Sequence, residues 1–482
     1  MPQSTPSGRD VARLAIRGAV SLGGRQVALA GLAAVGAALL ARYLTPSEFG
    51  VYGVASVVLS FLLVFGDAGL GASLIRQTRE PTTHELRQVF TIQLLVTLVL
   101  AALLSGLSSA LAAGLGLGRG GGAVFVLAAS AVVVQTTQVV PVILLERRLE
   151  FGRIGLVSVI EVATFYVVAV ALAADGNGAT SVGVGLLVQA SCGAVLANAL
   201  RRWPLGITAD WRGMSSRLRY SLLYQGANFV SLAKDSVTPI FIGAVSGAAA
   251  IGFVSWAQSV ATVALVALAP LSRLYLPVFA RLQDDPVRLD RAVQVSLSAT
   301  NALCAPVAVL LVVLIHPLTQ VVYGGKWEPA VPLFVLLWLA NLVVPSVQPL
   351  LALLNARGAA KTTFRFSLLW MAATWVLTPP LFLWLGLTGF GWANLAIQGT
   401  NGLLFRRAAR EARYSIRSAW LPAWCAAGVA GAVAASLQAL MGDEGPWSLL
   451  APAALGMLAY CLTSWHWQRT LIRYLIRQVR AS

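Results

Sequence analysis

The chain has 482 residues, of which 58% are hydrophobic and 11% charged, with a formal net charge of +17. Soluble domains carry about 25% charged residues, so this composition excludes a water-soluble fold and points to many membrane spans. The four cysteines, Cys192, Cys304, Cys425 and Cys461, are scattered through apolar segments without metal spacing, which argues against a disulfide framework and for small packing residues.

A bilayer core takes about 20 apolar residues per helix. Fourteen segments meet this in chain order, at 21–41, 49–66, 88–113, 121–145, 154–174, 178–200, 218–246, 249–273, 292–315, 330–354, 364–386, 388–405, 418–440 and 447–467. The first begins near Ser21 and lacks a small-x-small cleavage site, so it is expected to stay as a span and not to be removed as a signal peptide. The pair 364–386 and 388–405 is divided only by "GLTG".

The charges test this map. Of the 35 Lys and Arg residues, all but Arg42, Arg119, Lys326 and Lys234 fall at the termini or on the even-numbered gaps, with Arg25 and Arg273 at span ends on the same side. The positive-inside rule puts that side in the cytoplasm, and an even span count then puts both termini there. The net charge is therefore a topology signal, and no nucleic-acid partner is expected. Every loop is short, so no outer loop can hold a catalytic domain, and an enzyme is not expected. The segment "DDPVRLDRA" predicts a helix start, with Asp285 as cap and Pro286 in the first turn. In the tail, 468–482, Arg469, Arg473 and Arg477 recur every four residues, which predicts a basic amphipathic helix on the membrane surface.

Two stretches look related at an offset of 202 residues: "RYLTPSEFGVYGVASVV" and "AVSGAAAIGFVSWAQSV" pair Phe49 with Ile251, Gly50 with Gly252 and Ala55 with Ala257. Spans 1–6 and 7–12 then read as parallel repeats, a transporter design, against a background of chance resemblance between apolar helices. The domains that follow are an N-lobe over 1–200, a linker over 201–217, a C-lobe over 218–405, two further helices over 418–467, and the tail.

Little in the chain offers chemistry outside the spans. His84, His316 and His466 have no metal-ligating partner at the right spacing, and "YGGKW" lacks the glycine spacing and the following Ser/Thr of a phosphate loop. No metal or organic cofactor is expected. The informative residues lie in span seven, "SLAKDSVTPI". Lys234 lies roughly 24 Å along the helix from Leu218, about mid-membrane. Ser221, Tyr224, Gln225, Asn228, Ser231, Asp235 and Thr238 share one face of that helix. Lys234 lies to one side of this stripe. Neighbours in sequence do not face each other on a helix, so Lys234 and Asp235 are expected to meet other helices or water and not to form a self-contained pair. Pro239 removes the bond that the Asp235 carbonyl would accept. Intramembrane charges mark function by default, and a structural charge cluster is the competing reading. In span two Gly53, Ser56, Ser60 and Asp67 form a second stripe. Gln135, Gln138, Gln189, Asn341, Gln348, Asn394 and Gln398 read first as interhelical glue. For Asp67 and Glu161, contact with cytoplasmic arginines competes with function.

Three stretches carry a family resemblance: "ARYLTPSEFGVYGVASVVLSFLLVFGDAGLGASLIRQ", "LERRLEFGRIGLVSVIE", and "LSRLYLPVFARLQDDPVRLDRA" with "GGKWEPAVPLFVLL". The chain resembles the polysaccharide-transport branch, the Wzx-like flippases, of the multidrug/oligosaccharidyl-lipid/polysaccharide exporter superfamily. The resemblance implies an all-α polytopic membrane protein of the bacterial inner membrane, with two six-helix bundles around a central cavity plus two C-terminal helices. It implies a cargo of undecaprenyl-pyrophosphate-linked oligosaccharide and coupling to H+ or Na+, with membrane lipids and other polysaccharide-assembly proteins as partners. The family's span-seven pattern is matched by Asn228, Asp235, Ile242 and Gly243. Lys234 stands in for a nearby basic residue, while Ala244 and Trp256 replace two arginines often found there. Those departures raise the weight on Lys234, with Arg25 a second candidate phosphate contact. A drug/cation antiporter of the same superfamily would want an acidic cavity, and a polysaccharide polymerase or ligase would want a large outer loop with catalytic residues.

Overall fold

In the computed structural model the described residues are 29–67, 70–75, 79–118, 120–210, 229–442 and 445–467, and among them the chain is helical with no strand. Arg25, Asn228 and the basic tail lie outside the described residues, as does the side chain of Asp67. Helix covers at least part of every expected apolar segment. Among the described residues, eleven helices are long and apolar enough to cross a membrane, and Leu29–Tyr43 is a shorter apolar helix.

The helices fall into two compact units. Among the described residues, one comprises Leu32–Trp256 with Ser367–Phe382, and the other Ala257–Phe366 with the described part of the chain from Leu383 onward. In the first, α1 (Leu29–Tyr43) leads into α2 (Pro46–Asp67), the short α3 (Leu70–Ile75), α4 (Thr83–Gly114), α5 (Gly121–Arg147), α6 (Phe151–Ala174) and α7 (Thr180–Leu200). The run Phe229–Val266 is two helices, α8 (residues 229–246) and α9 (residues 248–262), because Gly247 at φ 72° turns the backbone between them. The positive φ there suits glycine alone among common residues.

In the second unit α10 (Ala269–Arg281) and α11 (Pro286–Val313) are followed by α12 (Val331–Asn341) and α13 (Val344–Ala356). After these come α14 (Ala360–Leu385), shared with the first unit, α15 (Leu387–Gly399), α16 (Asn401–Ala408), α17 (Ile416–Met441) and α18 (Trp447–Trp467). The expected break at "GLTG" is real: Gly386 separates α14 from α15. The expected cap of α11 also forms, with the Arg288 amide donating to Asp285 Oδ1 at 3.0 Å.

Prolines inside helices expose carbonyls four residues earlier, and the fold supplies donors for two of them. Pro141 in α5 frees the Thr137 carbonyl, which accepts from Asn198 Nδ2 on α7 at 3.2 Å. Pro306 in α11 frees the Ala302 carbonyl, which accepts from the Tyr460 hydroxyl on α18 at 2.6 Å. Each proline thereby fastens a neighbouring helix.

A polar network centred on two buried residues, Asn301 and Ser346, ties α11, α13 and α17 together. Asn301 donates to Ser346 Oγ at 3.0 Å and to the Leu297 carbonyl at 2.8 Å. Trp424 Nε1 donates to Asn301 Oδ1 at 3.1 Å, and Trp420 Nε1 to Ser346 Oγ at 2.8 Å. Asn301 and Ser346 are 0% exposed, so their partners cannot be replaced by water. Asn301→Leu should cost about 1–3 kcal/mol of stability for the indole and hydroxyl left short of a partner, read as a lower unfolding midpoint of the purified protein. An unchanged midpoint would remove the network from the account.

At the basic end of this unit Glu411, between α16 and α17, accepts from Arg407 Nη1 at 2.7 Å and pairs with Arg357 at 3.4 Å. The hydrogen bond from Arg407, then that from Arg357, holds its carboxyl below the usual carboxylate range. The stability this gives is present above that range and is lost as pH falls through the lowered value.

Candidate functional site

The repeat expected from the sequence has a physical counterpart inside the first unit. A β-carbon added at Gly50 on α2 would run into the Ala248 carbonyl oxygen, and one added at Gly252 on α9 would run into the Pro46 carbonyl oxygen. Pro46 and Ala248 are 202 residues apart, as are Gly50 and Gly252. The two contacts are therefore exchanged by the repeat offset, and each glycine's β-carbon position lies 3.1–3.2 Å from the backbone nitrogen of the other. Around the crossing Phe49, Val51, Val54, Ile251 and Val254 are buried. Backbone approaches this close require small residues, as in membrane helix pairs generally.

Helix α8 leaves the regular pattern where its charges lie. Lys234 and Asp235 end its first regular stretch, Ser236 is a turn, and Thr238–Ile242 form a π-turn that contains Pro239. The Gly243 amide reaches back five residues to the Thr238 carbonyl. The Ala233 carbonyl accepts from Ser236 Oγ at 2.8 Å and from Trp375 Nε1 of α14 at 2.7 Å. π-turns and non-helical carbonyls of this kind recur at functional sites.

Lys234 Nζ lies 2.7 Å from Asp235 Oδ1. This corrects the expectation that the two charges point to separate partners. The 100° between their β-carbons is spanned by the four-carbon lysine stem. Both side chains remain open, at 40% and 58% exposure. In a span, charges so exposed belong against water or polar groups and not against lipid.

A second polar region lies in the same unit. A cavity of about 380 Å³ is bounded by α2, α3, α4 and α5 and carries Gln93, Thr97, Gln135, Thr136, Gln138 and Glu146 on an otherwise apolar wall. Gln135, Thr136, Val139, Val142, Ile143 and Glu146 recur at helical spacing along one face of α5. Thr136 Oγ1 bonds Thr97 Oγ1 at 3.2 Å across α5 and α4. Sequence reading picked out Gln135 and Gln138 but missed Gln93 and Thr97, whose signal was their i, i+4 spacing in span three. Glu161 lies ten residues inside α6, and its partner is Gln138 Nε2 at 2.8 Å, not an arginine. Of the residues read as glue, Asn341 bonds the Ala261 carbonyl at 3.3 Å, whereas Asn394 bonds its own helix.

A family model described as "Polysaccharide biosynthesis protein" matches residues 39–332, more than half of the chain. The chain belongs to this family. Among curated relatives, it is 28% identical to "Succinoglycan biosynthesis transport protein ExoT" of Rhizobium meliloti (strain 1021), over 71% of this chain and 69% of that one. It is 24% identical to "Lipopolysaccharide biosynthesis protein WzxC" of Escherichia coli (strain K12), over 71% and 70%. Among solved structures, "Lipid II flippase MurJ, inward closed conformation" matches with TM-score 0.74 and 14% identity, covering 94% of this chain and 100% of that one. A multidrug resistance MATE family transporter of the MOP superfamily, inward-facing, matches with TM-score 0.58 and 14% identity over 80% and 95%. This member of the polysaccharide biosynthesis family is thus a multi-pass membrane protein with the exporter fold that the sequence resemblance implied. Trp256, at a position where the resemblance implies arginine, is 1% exposed and packs as core.

Proposed function

We propose that this chain carries an undecaprenyl-pyrophosphate-linked oligosaccharide across the bacterial inner membrane by alternating access, for O-antigen, capsule or exopolysaccharide assembly. The observation behind this reading is a flippase-like fold over 94% of the chain in a member of a polysaccharide biosynthesis family. An enzyme is not part of the proposal.

Lys234 would meet the anionic pyrophosphate. Its ammonium is the one basic group the sequence places deep in a span, and Asp235 holds it at 2.7 Å. The aspartate positions the ammonium, and a doubly charged phosphate group competes with it for the lysine. Arg25, Asn228 and Asp67 are further candidate contacts. The pairing also disfavours the drug-antiporter reading: Lys234 neutralises the acid that an organic cation would need. Cells lacking the protein should accumulate lipid-linked oligosaccharide on the cytoplasmic face and lose surface polysaccharide. Normal polysaccharide with new sensitivity to organic cations would overturn the reading.

A further inference from the structure

The carboxyl of Glu161 is an intramembrane acid that pairs with no cation among the described residues. Its hydrogen-bond partner among the described residues is the neutral amide of Gln138, whose Nε2 donates to Glu161 Oε1 at 2.8 Å. The other end of that amide is unsatisfied: Gln138 Oε1 is buried and has no donor, and the residue as a whole is 7% exposed. Both oxygens face α7 at Gly193. A β-carbon there would run into Glu161 Oε1 and come within 2.6 Å of Gln138 Oε1. The missing side chain at Gly193 therefore leaves room for the carboxyl and the amide oxygen side by side.

Two costs meet at this point. An ionised carboxylate inside an apolar span requires a counter-charge, and a buried acceptor requires a donor. One proton on Glu161 answers both, because it removes the charge and supplies an O–H next to Gln138 Oε1. We infer that Glu161, Gln138 and Gly193 form a proton-binding site in which the protonated Glu161 donates to Gln138 Oε1 while Gln138 Nε2 donates back to the carboxyl.

Among the described residues, the ionisable groups on the surrounding elements do not supply an alternative counter-charge. On α6, Arg153 pairs with Glu150 at 2.6 Å, and Tyr166 bonds Tyr52 of α2. On α5, Arg147 binds the backbone carbonyls of Leu74 and Arg79, and Glu146 is acidic. On α7 the neighbour is Cys192. Helix α1, which meets Tyr166 at Gly36, carries Arg42 and Tyr43 at its far end. Because Gln138 also lines the amide-bearing cavity, the proton is one amide away from that cavity. In a carrier this position couples proton occupancy to the packing of α5, α6 and α7, a role that rests on the proposed function, whereas proton binding itself does not.

The test is infrared difference spectroscopy of the purified protein at neutral pH, without cargo. The wild type should show a protonated-carboxyl C=O absorption that Glu161→Gln removes. Gln138→Leu should move the same absorption to higher frequency, since the acid loses its amide partner. Loss of a carboxylate absorption in Glu161→Gln, or an unshifted band in Gln138→Leu, overturns the site. If Glu161→Gln does not fold, the Gln138→Leu shift decides alone. The band is read without transport, so its absence would leave the flippase reading standing. Failed oligosaccharide movement with the band present would count against the flippase reading alone.

Discussion

Lys234→Ala is expected to abolish polysaccharide export while the protein stays at wild-type levels in the membrane. The side chain is 40% exposed and is tied to Asp235, itself 58% exposed, so its loss leaves no buried partner stranded and folding should survive. What is lost is the cation at mid-helix. Hydrogen bonds to charged groups are worth about 1.5–3 kcal/mol, which corresponds to about a 10- to 150-fold loss of affinity for the phosphate-bearing cargo. Asp235→Asn tests the other half of the pair. It leaves the ammonium in place and frees it, so binding of undecaprenyl pyrophosphate to the purified protein should tighten, in the opposite direction to Lys234→Ala. Normal export by Lys234→Ala would show that the pair is a structural charge cluster.

Gly50→Ala and Gly252→Ala should each destabilise the protein by about 1–3 kcal/mol or more, as overpacking does when the obstacle cannot move aside. Here the obstacle is the backbone carbonyl of Ala248 or Pro46, not the end of a flexible side chain. The cheapest response is for α2 and α9 to part. Once one methyl has parted them, the second has less left to disturb. The double variant should therefore lose less than the sum of the two single losses, the signature of residues in contact. Additive losses in thermal unfolding would show that the two glycines act at separate places and that the repeat-related crossing does not form.

That crossing shows how far the sequence could be read. The offset of 202 residues is visible in letters, with chance similarity between apolar helices as a serious rival; the reciprocal approach of each glycine to the other's turn is a contact that letters alone do not show. The apolar segments and their breaks were legible because lipid demands long uninterrupted runs, and a divider as small as "GLTG" still ended a helix at Gly386. The Lys234–Asp235 pairing was misread for a physical reason: an ideal helix at 100° per residue ignores the reach of a lysine stem and the irregular turn that follows. For Glu161, contact with cytoplasmic arginines competed with function. Its true partner is 23 residues back, on the preceding helix. Contacts between helices leave no periodic trace in either helix alone, so the cavity with Gln93 and Thr97 was legible only as scattered polar residues.

The most direct test of the central claim uses purified protein in liposomes that hold the lipid-linked oligosaccharide of its own cell in both leaflets. A glycosidase or lectin added outside reads how much of the sugar can be reached. With this protein present, the inner-leaflet fraction should become accessible over the course of the assay, and with Lys234→Ala it should stay protected. Equal protection in liposomes with and without the wild-type protein would contradict the claim that it moves a lipid-linked oligosaccharide.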